Sequence, residues 1–196
     1  MKKLTFSLMA AAALLAGCSE EAQYIDSTGT SVVVSVDKVD IQDFKIAADG
    51  LLQSLYDSPA FTNAPRTPPI LAISKVTNDT STQFETDILL SEIRSSITRS
   101  GKAEVSAIIG YGGRAQDEMA KEAKAAGEFE AGSAPVNLRP DFTLTGKIME
   151  VKASAGRTKQ VTYAFQMTLV RVSTGSIVWE EQKLITKQGT KAAVGM

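Results

Sequence analysis

Few side chains in this sequence are equipped for chemistry, and those that are lie far apart. The 196 residues include no histidine and a single cysteine, Cys18. Without imidazole there is no Ser-His-Asp or Cys-His nucleophilic system, no imidazole-rich metal site and no ordinary proton shuttle near neutral pH. One thiol cannot form an internal disulfide, and a structural zinc centre normally takes four ligands from Cys and His. Carboxylates, lysines, tyrosines and serines remain, which leaves a narrow catalytic repertoire.

Three short stretches merit a chemical reading. Ser35-Val36-Asp37-Lys38 has the Ser-x-x-Lys spacing of penicillin-recognising acylases, in which a serine opening a helix is deprotonated by a lysine one turn on. Here the pair sits in a tether or edge strand, where a three-residue step makes the side chains diverge. No Ser-Asp-Asn or Lys-Thr-Gly partner accompanies it. Gly110-Tyr111-Gly112-Gly113 falls between an expected strand and helix, where backbone amides can cradle an anion. It lacks the third glycine of a dinucleotide fingerprint and the Lys-Ser/Thr of a P-loop, so it reads as a helix-opening turn with Tyr111 as a candidate contact. Asn78-Asp79-Thr80-Ser81 ends an apolar run of strand length. Ligands often bind beyond the carboxyl ends of strands, and the same residue types make an Asx turn. Asn78, Asp79, Thr80 and Tyr111 are therefore the candidate partner-binding residues. No catalytic residue, metal ligand or cofactor is expected. Trp179, the sole tryptophan, reads as core, or if exposed as a protein-contact anchor.

The elements that must position these residues show in the hydrophobic period. Ile41, Phe44, Ala48, Leu51, Leu52 and Leu55 fall at helical spacing behind Asp40, a good N-cap. Proline-rich Ser58 to Pro69 must be loop. Pro69 to Val76 is apolar enough for a central strand, and Thr77 to Ser81 reads as a polar turn. Thr82 and Glu85 form a capping box for a second helix with Phe84, Ile88, Leu89, Ile93 and Ile97 on one face and Gly101 as its stop. A strand is expected around Ala103 to Ile109, a third helix over Arg114 to Ala126, and a loop from Gly127 to Arg139. Asp141 to Lys152, Val161 to Leu169, and Ile177 to about Lys187 alternate as an antiparallel meander with one buried face. The expected fold is α+β: a single sheet of about five strands, partly the C-terminal meander, packed with about three helices.

The start of the chain places Cys18 in context. Met1-Lys2-Lys3, an apolar run from Leu4 to Ala16, and Gly17 before the cysteine make a three-part secretory signal. As a helix the apolar run spans roughly 20 Å, short of the ~30 Å hydrocarbon core. Leu15-Ala16-Gly17-Cys18 resembles the bacterial lipobox. The resemblance implies cleavage before Cys18 and its lipidation, with more than one acyl chain giving a stable hold on the bilayer. Ser19, in the position where aspartate favours the inner membrane, resembles an outer-membrane lipoprotein. The organisation expected is a signal peptide over 1–17, a lipidated N-terminus and flexible tether over 18–39, and a globular domain over 40–196. The net charge of −1 becomes −3 once Lys2 and Lys3 are lost, and no basic block for nucleic acid remains.

A longer resemblance joins these pieces. Ile70-Leu71-Ala72-Ile73-Ser74-Lys75-Val76-Thr77-Asn78-Asp79-Thr80-Ser81, then Arg99-Ser100-Gly101-Lys102, then Pro140-Asp141-Phe142-Thr143-Leu144-Thr145-Gly146-Lys147-Ile148, then Leu169 to Glu180 are similar to the penicillin-binding protein activator lipoproteins, the LpoB family. The match runs in order over residues 40 to 188. It implies a domain similar to the N-terminal domain of TolB on an outer-membrane lipoprotein facing the periplasm. It also implies a regulator without catalysis of its own that docks on a class A penicillin-binding protein and stimulates peptidoglycan synthesis. The tether here is shorter than in family members that reach through the wall. The alternative is a subunit of an envelope secretion assembly resembling the curli secretion lipoprotein, which needs added membrane-crossing hairpins of about ten residues per strand.

Overall fold

The computed structural model describes residues 26, 34–106 and 139–190. The chain divides into two units, Met1–Val32 and Val33–Met196, and the sheet and helices belong to the second. Cys18, the stretch expected as a signal peptide, Tyr111 with its glycines, and the stretch expected as a third helix lie outside the described residues.

The chain order is α1 (Ile41–Asp57), β1 (Ile70–Asp79), α2 (Asp87–Ser100), β2 (Glu104–Val105), β3 (Phe142–Ala155), β4 (Thr158–Arg171) and β5 (Ser176–Thr190). The strands form one sheet in the order β2-β1-β3-β4-β5. β1 is parallel to both of its neighbours, and β3, β4 and β5 are antiparallel in succession. This is the expected α+β sheet with its C-terminal meander. Two helices occur among the described residues.

α1 begins where Asp40 suggests. Its side chain accepts from the Gln42 and Asp43 amides, and Asp43 reaches back to the Asp40 amide at 2.8 Å, a reciprocal capping box. Phe44, Ala48, Leu51, Leu52 and Leu55 are buried as the spacing requires, whereas Ile41 is 40% exposed. α2 departs further from expectation. It starts at Asp87 behind Thr86, with no side-chain cap bond, and the Thr82/Glu85 capping box does not open it. The reason is local: the Thr82 carbonyl is held by the side chains of Asn78 and Thr80, which keeps Thr82 in the preceding turn. The helix consequently buries Leu89, Leu90, Ile93 and Ile97 and leaves Ile88 47% exposed. Gly101 closes it at φ 65°, a left-handed cap that a residue with a Cβ adopts only at a cost.

The core is one cluster between the two helices and the inward residues of the sheet. Val161, Tyr163, Phe165, Met167 and Leu169, alternate along β4, are all buried, and Phe165 meets Phe44 of α1 edge-on at 6.1 Å. Trp179 of β5 is buried as well, its indole N–H donating to Ser54 Oγ at 3.2 Å. At Gly146 β3 leaves no room for a side chain: a Cβ there would stand 2.8 Å from the Gln166 carbonyl oxygen of β4. β1 runs three residues further than its apolar stretch, through Asp79, with an irregularity between Ile73 and Val76 that leaves Ser74 and Lys75 both exposed.

Candidate functional site

The Asn78–Ser81 segment leaves the sheet at the carboxyl end of β1, beside β3. Its geometry follows from one amide. Asn78 Oδ1 accepts from the Thr80 amide at 3.1 Å and the Thr80 hydroxyl at 2.8 Å, while Nδ2 donates to the Thr82 carbonyl at 2.9 Å. That is an Asx turn reinforced by a hydroxyl. β3 completes the site through parallel pairing of Thr77, Asn78 and Asp79 with Lys147, Ile148 and Met149. Asp79 makes an ion pair with Lys147 at 2.8 Å, both side chains well exposed, an arrangement of little energetic weight. Glu150 matters more. Its Oε1 accepts from the Ser81 amide at 2.7 Å and pairs with Lys152 at 3.2 Å, and Lys152 also donates to the Ser81 hydroxyl.

The electrostatics follow from these contacts. Burial pushes the Glu150 carboxyl up, but the hydrogen bonds from Ser81 and the Lys152 ammonium outweigh it and hold the group below its ordinary value. Tyr163, paired with Glu150 across the β3–β4 ladder, is pushed up to about 12 by burial and by the neighbouring Glu150 charge, so its hydroxyl stays protonated. The Glu150 Oε2 and Tyr163 hydroxyl atoms are both buried without a hydrogen-bond partner among the described residues.

Asn78, Asp79 and Thr80, grouped by their spacing in the sequence, stay together in the structure: Asn78 and Asp79 end β1, and Thr80 opens the turn that follows. Sequence reasoning does not find Glu150 or Lys152, which fold the loop onto β3. Nor does it find Asp141, a buried carboxylate that accepts from the Ile70 amide at 2.8 Å and pairs with Arg66 at 2.9 Å, fixing the proline-rich loop to the start of β1. Among the described residues no hydrogen bond joins the Ser35 hydroxyl to the Lys38 amine, and both residues instead present their backbone carbonyls to Lys187. A groove of about 220 Å³ at the tip of the β3–β4 hairpin is lined by Asp37, Lys152, Ser154, Lys159 and Val161, and its lysines are already paired with Glu150 and Asp37. Among the described residues no cluster of three or more His, Cys, Asp or Glu side chains has the geometry to hold a metal ion. No helix among the described residues is long and apolar enough to cross a membrane.

The fold and the self-satisfied loop define a class first: an α+β domain with two helices packed over a mixed sheet, offering a shaped polar surface at the β1 end. The chain belongs to the peptidoglycan-synthase activator LpoB family, whose family model matches residues 43–185. Among solved structures it is similar to the LpoB C-terminal domain from Salmonella enterica, at 17% identity over 73% of this chain and 98% of that one, with a TM-score of 0.44. The LpoB C-terminal domain from Escherichia coli matches with the same identity and coverage and a TM-score of 0.42. The PelC dodecamer from Paraburkholderia phytofirmans matches at 17% identity over 63% of this chain and 76% of that one, with a TM-score of 0.36. No curated protein sequence matches.

Proposed function

We propose that this chain is a lipoprotein of the outer membrane, anchored through acyl chains on Cys18 and facing the periplasm, that binds a class A penicillin-binding protein and stimulates its synthesis of peptidoglycan. The observation that carries the reading is the family match over residues 43–185, preceded in the same chain by Leu15-Ala16-Gly17-Cys18 after a signal-like run. On this reading residues 1–17 are removed, a tether follows the lipidated cysteine, and the domain acts by contact alone.

Asn78, Asp79 and Thr80 are the proposed contact residues of the described domain, with Tyr111 as a further candidate. The physical basis is that the loop projects from a strand end, is fixed by Asn78 and Glu150 rather than left to fluctuate, and carries exposed Asp79. A preorganised loop loses less conformational entropy on binding than a mobile one. No cofactor or nucleic acid takes part. The test is capture from detergent-solubilised envelope with the full chain as bait. Recovery of a class A penicillin-binding protein is expected, and its absence, while other envelope proteins are recovered, would overturn the proposal.

A further inference from the structure

The segment Val34–Val39 has no regular structure beyond a turn at Val36–Lys38, yet it is fastened to the ends of β4 and β5. Lys187 of β5, 7% exposed, donates through its ammonium to the Ser35 carbonyl at 3.1 Å and the Lys38 carbonyl at 2.8 Å. The same ammonium bonds Asp40 Oδ2 at 2.8 Å and pairs with Asp43. Val36 lies directly on Gly189: a Cβ on that glycine would stand 2.7 Å from Val36 Cγ2, so with valine at 36 the seat takes glycine at 189. Asp37 faces Lys159 at 3.7 Å, an exposed pair.

These attachments fall into two sets. Asp40 and Asp43 cap α1 and balance Lys187 whether or not the preceding residues are seated. The segment itself is held by two carbonyl bonds to Lys187, the Val36 contact, the partly buried Val39 and one solvent-screened ion pair. Stretches with so few buried apolar contacts open locally, well below the free energy of global unfolding. The capping box at Asp40 gives the opening a fixed end, since α1 does not need the residues before it.

We propose that Val34–Val39 is a latched strap that stores chain: seated on Lys187 and Gly189 it shortens the connection from the domain to residue 18, and released it lengthens that connection. Six residues extend to about 20 Å at 3.3–3.6 Å each, against a limit of about 55 Å for the stretch between Cys18 and Val34. Opening the latch therefore lengthens the longest reach by roughly a third. The consequence for reach rests on Cys18 being the lipid anchor, whereas the latch itself does not.

The latch is tested in the full chain carrying Cys18→Ser, so that no lipid and no synthase enter the assay and its failure is distinguishable from failure of the functional reading. Lys38 is exposed, but trypsin must draw the residues on both sides of it into its cleft, so the cut after Lys38 is faster when the strap is unseated, and the product beginning at Val39 is read by mass spectrometry. Lys187→Met is expected to raise the rate of this cut about tenfold or more, with β3 to β5 uncut. An unchanged rate overturns the latch. Should Lys187→Met cost the fold, which cuts within the meander would reveal, a second variant decides. In Val36→Cys with Gly189→Cys, the residue-189 Cβ lies 3.9 Å from the residue-36 Cβ, within disulfide range. Oxidation is expected to slow the cut about tenfold or more relative to the reduced form. Equal rates in the two forms overturn the proposal.

Discussion

Replacing Asn78 with alanine removes three hydrogen bonds at once: two accepted by Oδ1 from Thr80 and one donated by Nδ2 to the Thr82 carbonyl. At about 0.5–1.5 kcal/mol net for each, with the partial exposure of the site drawing the values toward the low end, the expected loss is about 2 kcal/mol. For a domain of this size that lowers the melting temperature by about 4–8 °C. Thermal unfolding followed by far-UV circular dichroism measures the shift. Asn78→Asp keeps the acceptor for Thr80 but sets a carboxylate against the Thr82 carbonyl, so it should fall between wild type and alanine. A loss under about 0.5 kcal/mol for Asn78→Ala would refute the claim that this amide holds the loop. The comparison also separates architecture from contact. If Asp79→Ala, which removes only an exposed ion pair, weakens synthase binding while leaving the melting temperature near wild type, the strand end is a contact surface as well as a turn.

Three further outcomes follow from the geometry. Gly146→Ala brings a Cβ to 2.8 Å from the Gln166 carbonyl and closer still to Met167 Sδ; the side chain yields but the backbone does not, so a loss of about 1–3 kcal/mol is expected by urea unfolding. Asp141→Ala, which strands the Ile70 amide and removes the ion pair to Arg66, should destabilise the domain by more than Asp141→Asn, which keeps an acceptor for Ile70, again by urea midpoint. Glu150 titrates below its ordinary value in the folded state, so its contribution is present at neutral pH and is lost as pH falls through the folded value. Glu150→Gln should therefore be less stable than wild type near pH 7, with the gap closing on acidification. A gap independent of pH would contradict the assignment.

How much of the fold is legible in the sequence depends on how local each interaction is. The Asp40 cap, the buried stripe of α1 and the fault-free alternation of β4 involve neighbours one to four residues apart, and all are readable from period and cap chemistry. The start of α2 is not, because two local motifs compete for Thr82, and the Asx turn from Asn78 takes its carbonyl before the capping box can form. Ile88, which that frame assigns to the buried face, is exposed. Glu150 reaches Ser81 across 69 residues, Asp141 reaches Ile70 across 71, and Lys187 reaches Asp40 across 147. No periodicity signals such pairs, since each depends on which strands the topology makes neighbours. Trp179 reads from sequence as core or contact, and the Ser54 hydroxyl that accepts its indole N–H explains how it is buried without leaving a donor unpaired.

The proposed function is regulation of a synthase by binding it. The most direct measurement is the rate of glycan polymerisation by a purified class A penicillin-binding protein from the same cell, with and without the full chain. A faster rate that saturates with added chain is expected, with a matching binding curve. No binding and an unaltered rate with every class A synthase of that cell would contradict the proposed function.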